Sequence, residues 1–323
     1  MSERDAERVS NSGGRWPSLP LAEWQATRDT LQLWAQVVGK VRMVNEAPLN
    51  HWWNVPLYVT ARGLTTSLIP HRSGEGFQID FDLQKQRLEI VTASGSQRSL
   101  VLGPGSVADF YGEVMESLDE LGVPTEIWPM PVEIEGAIPF LDDRVHRTYN
   151  PDHAHQFWLA LVQVTRVFQQ FRSRFVGKTS PVHLFWGALD LATTRFSGRP
   201  APPHPYTPPN CGPQVMREAY SHEVSSCGYW PGGSGEGLFY SYAYPEPAGF
   251  RDLAVAPSGV FYSDELGEFI LPYDVVRTSI EPDRTLLEFC QTTYEAAATT
   301  GDWDRPALER QRTDGPPAAG ARP

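Results

Sequence analysis

The chain has 323 residues, of which 39 are acidic and 27 basic, so its formal net charge is -12. Because nonspecific binding to nucleic acid needs clustered lysines and arginines, this charge argues against a nucleic-acid partner. The 41% of hydrophobic residues suffices for a sizeable core, and no run of about 18 apolar residues predicts a membrane span.

The first half of the sequence predicts a helix, an antiparallel meander and a second helix. Apolar residues at helical spacing run from 24 to 41, after Pro20. Between 55 and 102, apolar and polar residues alternate, as in strands with one buried face. Ser106 is typical of a helix N-cap, and Gly122 marks the end of that helix.

The second half also contains helical and extended patterns. An apolar stripe predicts a helix over 157–175, and a last helix is expected over 286–298. Strands are predicted at 182–194, 222–230 and 238–244. The fold class that follows is α+β, with antiparallel sheets flanked by long helices.

Residues 16–310 are predicted to form a single α+β unit of two possible halves, 16–150 and 151–310. In each half a helix leads through a proline to a histidine, nearby aromatic residues and a strand. Either this order reflects an ancient duplication with a pseudo-twofold arrangement, or it is a coincidence between two generic helix-strand units. The segments 1–15 and 311–323 lack periodic apolar residues and are predicted to be disordered.

The cysteines and the N-terminus bear on the cellular compartment. Cys211, Cys227 and Cys290 show no Cys-x-x-Cys spacing, so we expect free thiols rather than disulfides or a zinc ribbon. The first 15 residues are polar and charged, without the apolar region of a signal peptide. We therefore expect a cytoplasmic protein that does not associate with membranes.

Three histidines stand at the predicted starts of strands: His51, His183 and His222, the last followed by Glu223. Because imidazole exchanges protons near neutrality and also binds metals, these four residues are the candidate catalytic groups. Convergence of the three imidazoles would suit zinc or iron, although no short ligand spacing supports a metal. The alternative is that each is a core histidine bonded to a backbone carbonyl. We expect His183 and His222 to face one cavity; the sequence identifies no cofactor.

The candidate substrate-binding residues are aromatic and guanidinium side chains near these histidines. The rings would supply apolar walls, and Arg62 or Arg195 would bind an anionic group through its planar fork. Alternatively, Arg62 is an exposed turn residue, and Arg195 forms an ion pair with Asp190. The full predicted set is Trp52, Trp53, Tyr58, Arg62, Trp186, Arg195 and Trp230.

Two further features concern the geometry around these residues. If 182–194 is one continuous strand, His183 and Asp190 point to opposite faces of the sheet. The segment 197–213 contains seven prolines and is longer than most structureless connections. We expect this proline-rich segment either to cover the pocket or to clasp the protein surface.

Histidines and aromatic residues are concentrated in three segments of the sequence. They read HWWNVPLYVTARGLTTS from His51, SPVHLFWGALDLATTRFSGR from Ser180 and AYSHEVSSCGYWPGG from Ala219. These segments resemble an uncharacterised bacterial family known only as a domain of unknown function. The resemblance extends over roughly 16–308 and implies that the three segments form one functional unit. It implies no activity and no catalytic residue.

The leading hypothesis is a small-molecule enzyme that uses acid/base or metal-assisted chemistry in a pocket of histidine, tryptophan and arginine side chains. The main alternative is a noncatalytic protein that binds a small-molecule ligand in the same pocket. A third possibility is an interaction protein whose aromatic residues are only core. The sequence specifies neither the reaction nor the oligomeric state.

Overall fold

A computed structural model of the chain describes residues 15–311. Within them lie seven α-helices: α1 (Leu21–Asn45), α2 (Val107–Glu120), α3 (Pro151–Ser173), α4 (Pro213–Ala219), α5 (Tyr273–Arg277), α6 (Pro282–Thr300) and α7 (Arg305–Leu308). The strands there are β1 (Tyr58–Val59), β2 (Gly63–Thr65), β3 (Ile69–Pro70), β4 (Gly76–Asp82), β5 (Arg87–Thr92), β6 (Gln97–Val101), β7 (His183–Phe185), β8 (Asp190–Pro200), β9 (His222–Trp230), β10 (Leu238–Tyr244), β11 (Phe261–Ser263) and β12 (Glu268–Pro272). They form two antiparallel sheets, which confirms the predicted α+β class.

The first sheet has the order β1-β2-β4-β5-β6, with β3 paired to β4. Alternate residues of β4 and β5 are buried, and Ile79 pairs directly with Ile90. The Phe110 ring of α2 stacks on Trp34 of α1 at 4.7 Å and on Phe81 of β4 at 6.5 Å, measured between ring centroids. Helices α1 and α2 therefore pack on the apolar face of this sheet.

The second sheet has the order β11-β12-β10-β9-β8-β7, and α3 and α6 pack on one of its faces. Arg195 is buried in that layer, where its guanidinium carbon lies 3.5 Å from the Phe171 ring centroid and 4.2 Å from that of Tyr294. The guanidinium also donates a hydrogen bond to the Phe171 carbonyl. The expected ion pair with Asp190 is therefore wrong, because Asp190 lies on the opposite face of the sheet.

One short backbone contact joins the two sheets. The Leu57 amide donates to the Leu184 carbonyl at 2.9 Å, and the Leu184 amide donates to the Leu57 carbonyl at 2.8 Å. The buried apolar residues form one cluster that includes residues of both predicted halves. The duplication stays a prediction, because a shared core shows contact between the halves and not common descent.

Most predicted elements are found close to their expected positions. Strands β9 and β10 have the expected bounds, and Ser106 Oγ accepts a hydrogen bond from the Asp109 amide at 3.1 Å to cap α2. Helix α3 begins earlier than expected, at Pro151, because the Asn150 side chain caps its first turn. Sequence periodicity did not reveal α4, α5, α7, β11 or β12, since elements of three to seven residues are too short to show a period.

The strand predicted to follow α3 is instead a hairpin. The chain reverses between Phe185 and Asp190, which pair across β7 and β8, and Leu189 in the turn has a φ of 60°. His183 pairs with Ala192, so His183 and Asp190 lie on the same face of the sheet. The expected opposite orientation is wrong because it assumed a continuous strand.

Two other expectations concern the chain ends and membranes. The segments predicted to be disordered, 1–15 and 311–323, lie outside the described residues apart from Arg15 and Gln311. Among the helices of residues 15–311, none combines the length and apolarity needed to span a lipid bilayer.

The packing of α1 against the β7–β8 turn gives a testable prediction. Gly39 of α1 lies directly against the Trp186 ring, whose Nε1 donates to the Val55 carbonyl at 2.9 Å. A methyl group added at Gly39 would overlap the indole. We expect Gly39→Ala to lower the free energy of unfolding by about 1 to 3 kcal/mol, measured by urea denaturation.

Gly112 in α2 provides the matched control for this substitution. A methyl group there meets no atom within 4 Å, so only the helix propensity changes. We expect Gly112→Ala to raise the free energy of unfolding by about 0.5 to 1 kcal/mol. Equal effects of the two substitutions would contradict the proposed packing.

Candidate functional site

A cavity of about 950 Å³ lies on the face of the second sheet that α3 and α6 leave uncovered. Its other walls come from the segment 51–55, the turn 186–188, the loop around 128–133 and the proline-rich segment followed by α4. This volume is at the upper end of the range for small-molecule sites. Both halves of the chain therefore contribute to one pocket.

Alternate side chains of three neighbouring strands form the floor of the cavity. They are Asp190 and Thr194 of β8, Ser226 of β9, and Tyr240 and Tyr242 of β10. Because side chains alternate across a strand, the intervening residues point to the helices on the opposite face. The floor thus combines one carboxyl group with hydroxyl groups and aromatic rings.

Tyr240 reaches Asp190 by crossing the strand between them. Gly228 of β9 stands opposite Tyr240, and any side chain on Gly228 would overlap the tyrosine ring. The ring therefore lies across β9, and its hydroxyl donates a hydrogen bond to Asp190 Oδ2. Gly228 is needed here for close approach and not for an unusual backbone angle.

A second group of aromatic residues continues this floor along β10. The hydroxyl oxygens of Tyr242 and Tyr220 are 2.9 Å apart, within hydrogen-bond distance. The His204 ring stacks against Tyr220 at 4.4 Å and against Tyr244 at 4.6 Å, measured between centroids. Burial raises the pKa of Tyr242 to about 12, so its hydroxyl is neutral at physiological pH.

The segment that begins at His51 forms a wall under backbone strain. His51 and Trp52 have φ angles of 57° and 60°, in the left-handed region that residues other than glycine rarely adopt. Contacts to α4 hold this conformation: the His51 amide donates to Glu218 Oε1 at 3.1 Å, and Trp52 Nε1 donates to the Val215 carbonyl at 3.0 Å. Helix α4 therefore fixes the position of both side chains.

The hydrogen bonds of His51 define its tautomer. Its Nδ1 lies 3.1 Å from the Ala219 carbonyl, which only accepts, so Nδ1 carries the proton. Its Nε2 lies 2.6 Å from Lys178 Nζ and accepts from the ammonium group. Burial lowers the pKa of His51, and the nearby Lys178 charge acts in the same direction. Both ring nitrogens are occupied, which indicates a structural role.

The proline-rich segment lies at the cavity, as expected for a cover. Its residues His204, Tyr206 and Pro208 belong to the lining. The Glu133 amide donates to the Pro209 carbonyl at 2.8 Å, and Asn210 Nδ2 donates to the Pro131 carbonyl at 3.0 Å. The proline-rich segment is therefore hydrogen-bonded to the wall formed by 128–133.

The Gln36 side chain of α1 connects two walls of the cavity by hydrogen bonds. Its Nε2 donates to the Val132 carbonyl at 2.9 Å and to the Gly187 carbonyl at 3.1 Å, and its Oε1 accepts from the Val132 amide at 2.9 Å. The side chain is fully buried, so these bonds replace those that it would make to water.

Three carboxyl groups of the lining have raised pKa values. Burial raises the pKa of Asp190 to about 6 and those of Glu133 and Glu268 to about 7, and the charge of Asp190 adds to the shift of both glutamates. Glu133 has an exposed side chain, so water in the cavity reduces this effect, whereas Asp190 is half-buried on the sheet. The raised pKa of Asp190 is therefore less reduced by water than that of Glu133.

The cavity also contains one lysine. Lys40 of α1 is buried, and this burial lowers its pKa to about 8. Its Nζ lies 4.9 Å from the Trp128 ring centroid, a cation–π geometry. Burial raises the pKa of the neighbouring Cys211 to about 11, which keeps that thiol protonated and unreactive.

The structure divides the residues predicted from the sequence into two groups. His51 and the tryptophans at 52, 53, 186 and 230 line the cavity. The predicted residues outside the lining are His183, His222, Glu223, Tyr58, Arg62 and Arg195. His183 and His222 were expected to face one cavity, and neither of them lines this one.

His183 is buried among aromatic rings, which shield its imidazole from solvent. It has no exposed surface, and neither ring nitrogen has a hydrogen-bond partner. Burial, assisted by the charges of Arg42 and Arg172, lowers its pKa to about 3. Tyr58, at 5.6 Å between ring centroids, belongs to this same internal cluster.

The other predicted polar residues make structural contacts. Glu223 pairs with Arg199 at 2.7 Å, and His222 Nδ1 lies 3.1 Å from Ser221 Oγ. Arg62 is an exposed turn residue that pairs with two aspartates of β4, and Arg195 is enclosed on the helix-covered face. Neither arginine lines this cavity, so the cavity does not support the expected binding of an anionic group by them.

The three candidate histidines do not form a metal site. His51 and His222 have ring centroids 5.8 Å apart, but the Trp53 ring lies between His51 and His183, at 5.4 Å and 6.0 Å from them. Within residues 15–311, no three His, Cys, Asp or Glu side chains are arranged so that they could hold a metal ion. The histidine convergence required for zinc or iron is therefore not formed.

Sequence reasoning missed the polar floor and its acidic groups. The alternation of tyrosines at 240, 242 and 244 within a predicted strand was an available signal for one aromatic face. Glu133 and Glu268 carried no signal, because Glu133 lies in a loop and Glu268 begins the short strand β12, between β11 and β10. His204 also belongs to the lining, where it is half-buried.

The raised pKa of Asp190 predicts an unusual pH dependence of stability. In the folded state this carboxyl group keeps its proton up to about pH 6, whereas its ordinary value is 3.8. Its contribution to stability therefore falls as pH rises from about 4 to 6. Asp190→Asn cannot ionise and can still accept from Tyr240. We expect no difference from wild type near pH 4 and a gain of about 1 to 2 kcal/mol at pH 7, measured by thermal unfolding.

Asp109 provides a control with the opposite sign. Hydrogen bonds from Ser106 and Arg144 lower its pKa, so Asp109 stabilises the folded state above its ordinary pKa of 3.8. We expect Asp109→Asn to destabilise the protein at pH 7 and to lose this effect in acid. Destabilisation by Asp190→Asn at pH 7 would contradict the proposed cost of ionising Asp190.

Comparison of the chain with known proteins gives one match. No curated protein and no solved structure matches it. The model of a family of unknown function, DUF5996, matches residues 16–310, which include every wall of the cavity. The chain belongs to this family of unknown function.

Proposed function

We propose that the chain is an enzyme that binds a small organic molecule in the cavity and performs acid/base chemistry on it with Asp190. The observation that carries this proposal is a carboxyl group on the cavity floor with its pKa raised by burial to about 6. A group that titrates close to neutrality can take a proton from a substrate and return it.

The surrounding residues support this role of Asp190. The Tyr240 hydroxyl orients the carboxylate by donating to Oδ2, which leaves Oδ1 for a substrate proton. Thr194 and Ser226, whose hydroxyl oxygens are 2.9 Å apart, offer hydrogen bonds to a polar substrate group. Tryptophan and tyrosine rings supply the apolar walls that exclude water.

Asp190 thereby takes the role first expected for the histidines. His183 is enclosed and His222 lies outside the lining, while both nitrogens of His51 bind protein groups. Acid/base chemistry remains part of the proposal, and metal-assisted chemistry by these histidines does not.

A noncatalytic binding protein is the alternative. The tryptophan and tyrosine rings of the lining favour it, because such rings hold a ligand without taking part in chemistry. We place either function in the cytoplasm, which is supported by the three free cysteines.

Substrate conversion tests the catalytic proposal. Purified protein is incubated with a defined mixture of small metabolites, and mass spectrometry identifies the compounds that are retained and those that are consumed. We expect wild type to consume a compound that Asp190→Asn retains but converts at least about 100-fold more slowly, because general acid/base catalysis contributes that much. Asp109→Asn, which changes a residue of α2 outside the lining, should convert it at the wild-type rate.

Two results would contradict this assignment. Undiminished conversion by Asp190→Asn would remove Asp190 from the chemistry. Retention without conversion by wild type would favour the binding protein. Ala188→Trp, which fills the cavity, should abolish retention, whereas Ala248→Trp on the exposed surface should not.

A further inference from the structure

The charges of the cavity lining are unbalanced. Among its four carboxyl groups, Glu246 is neutralised by Arg251 at 2.8 Å. No ion pair within residues 15–311 involves Glu133, Asp190 or Glu268. When all are ionised, these three negative charges face a single lysine in the lining, Lys40, which leaves an excess of two.

This excess charge is concentrated near the tyrosine floor. Asp190 accepts a hydrogen bond from Tyr240, and Glu268 stands beside Tyr242 on the same face of the sheet, because the adjoining residues Phe269 and Ser241 pair directly. Burial raises the pKa values of Glu133 and Glu268, and the charge of Asp190 adds to both shifts. Lys40 instead lies over Trp128, on the wall formed by the loop. In a partly dehydrated pocket, like charges without a counter-ion are costly, and a bound cation would relieve that cost.

The aromatic rings of the floor suit the same kind of ligand. Tyr240 and Tyr242 lie nearly parallel, with an interplanar angle of 19° and centroids 6.1 Å apart. Their negative ring faces attract cations, and the attraction is strongest for organic cations that have shed their water. The protein's own ammonium groups already bind in this way, as Lys178 does 4.8 Å from the Phe196 ring centroid.

The cavity favours an organic cation over a metal ion. Its carboxyl groups are not arranged as a metal-ligating set within the described chain. Its volume of about 950 Å³ and its tryptophan walls leave room for an apolar body beside the charged group. We propose that the ligand is an organic amine or quaternary ammonium compound, whose cationic group lies between Asp190, Glu268 and the faces of Tyr240 and Tyr242.

This inference rests on the proposed function in one respect, namely that the cavity is the ligand site. It goes further by naming the charge of the ligand. It also replaces the anionic ligand expected from Arg62 and Arg195, both of which lie outside the lining.

Three probes with the same indole body test the inference: tryptamine, which is cationic, tryptophol, which is neutral, and indole-3-propionate, which is anionic. Binding to the full chain is measured by isothermal titration calorimetry at pH 7.5. We expect tryptamine to bind at least about 10-fold more tightly than tryptophol, and indole-3-propionate to bind most weakly.

The double variant Asp190→Asn with Glu268→Gln tests whether these two carboxyl groups cause the preference for tryptamine. We expect it to bind tryptamine and tryptophol with affinities that agree within about 2-fold, while its affinity for tryptophol stays at the wild-type value. Glu223→Gln is the matched control, because that carboxylate belongs to the same sheet but pairs with Arg199 outside the cavity. It should keep the wild-type preference, and unfolding temperatures confirm that all variants are folded.

The binding results distinguish a wrong ligand charge from a wrong proposed function. Equal or tighter binding of tryptophol or indole-3-propionate would overturn the cationic ligand while the cavity remained a binding site. A preference for tryptamine that survives in the double variant would overturn the assignment to Asp190 and Glu268. Binding of none of the probes would contradict both the inference and the proposed function.

Discussion

The hydrogen bond from Tyr240 to Asp190 depends on the missing side chain of Gly228, and the chemistry of the cavity follows from it. Only a glycine in β9 lets the tyrosine ring lie across the strand. The bond orients the carboxylate, and the ring covers the strand's backbone. A carboxyl group thereby lies on the cavity face of a sheet whose other face packs against an apolar core.

Placing Asp190 there has an electrostatic consequence. Burial raises its pKa, and its charge raises the pKa values of the two neighbouring glutamates. Ionisation of these carboxyl groups therefore costs free energy in the folded state. Residues that reduce stability in this way are typical of sites under functional constraint, where binding or catalysis needs a group that folding alone would not favour.

The framework that supports the site comes mainly from the first half of the chain. Gln36 of α1 bonds to two walls, and Gly39 accommodates the Trp186 ring. The strained segment at His51 packs on α4, and Lys178 holds the histidine ring. These contacts explain why histidines and tryptophans concentrate in the motif-rich segments: several of them position the cavity walls, while the reactive groups stand on the floor.

The sequence by itself determined the fold class, the long helices, strands β9 and β10 and the aromatic walls, because hydrophobic periodicity and ring content are local properties. It could not determine the reactive set. Whether His183 faced a cavity depended on the rings that cover it, and whether Arg195 met a ligand depended on which face of the sheet α3 and α6 cover. Asp190, Glu133 and Glu268 come together only through a hairpin reversal, a loop and the short strand β12, which are far apart in the chain. Proximity between such residues and the loss of water around them are properties of the packed structure, and only tertiary structure decided them.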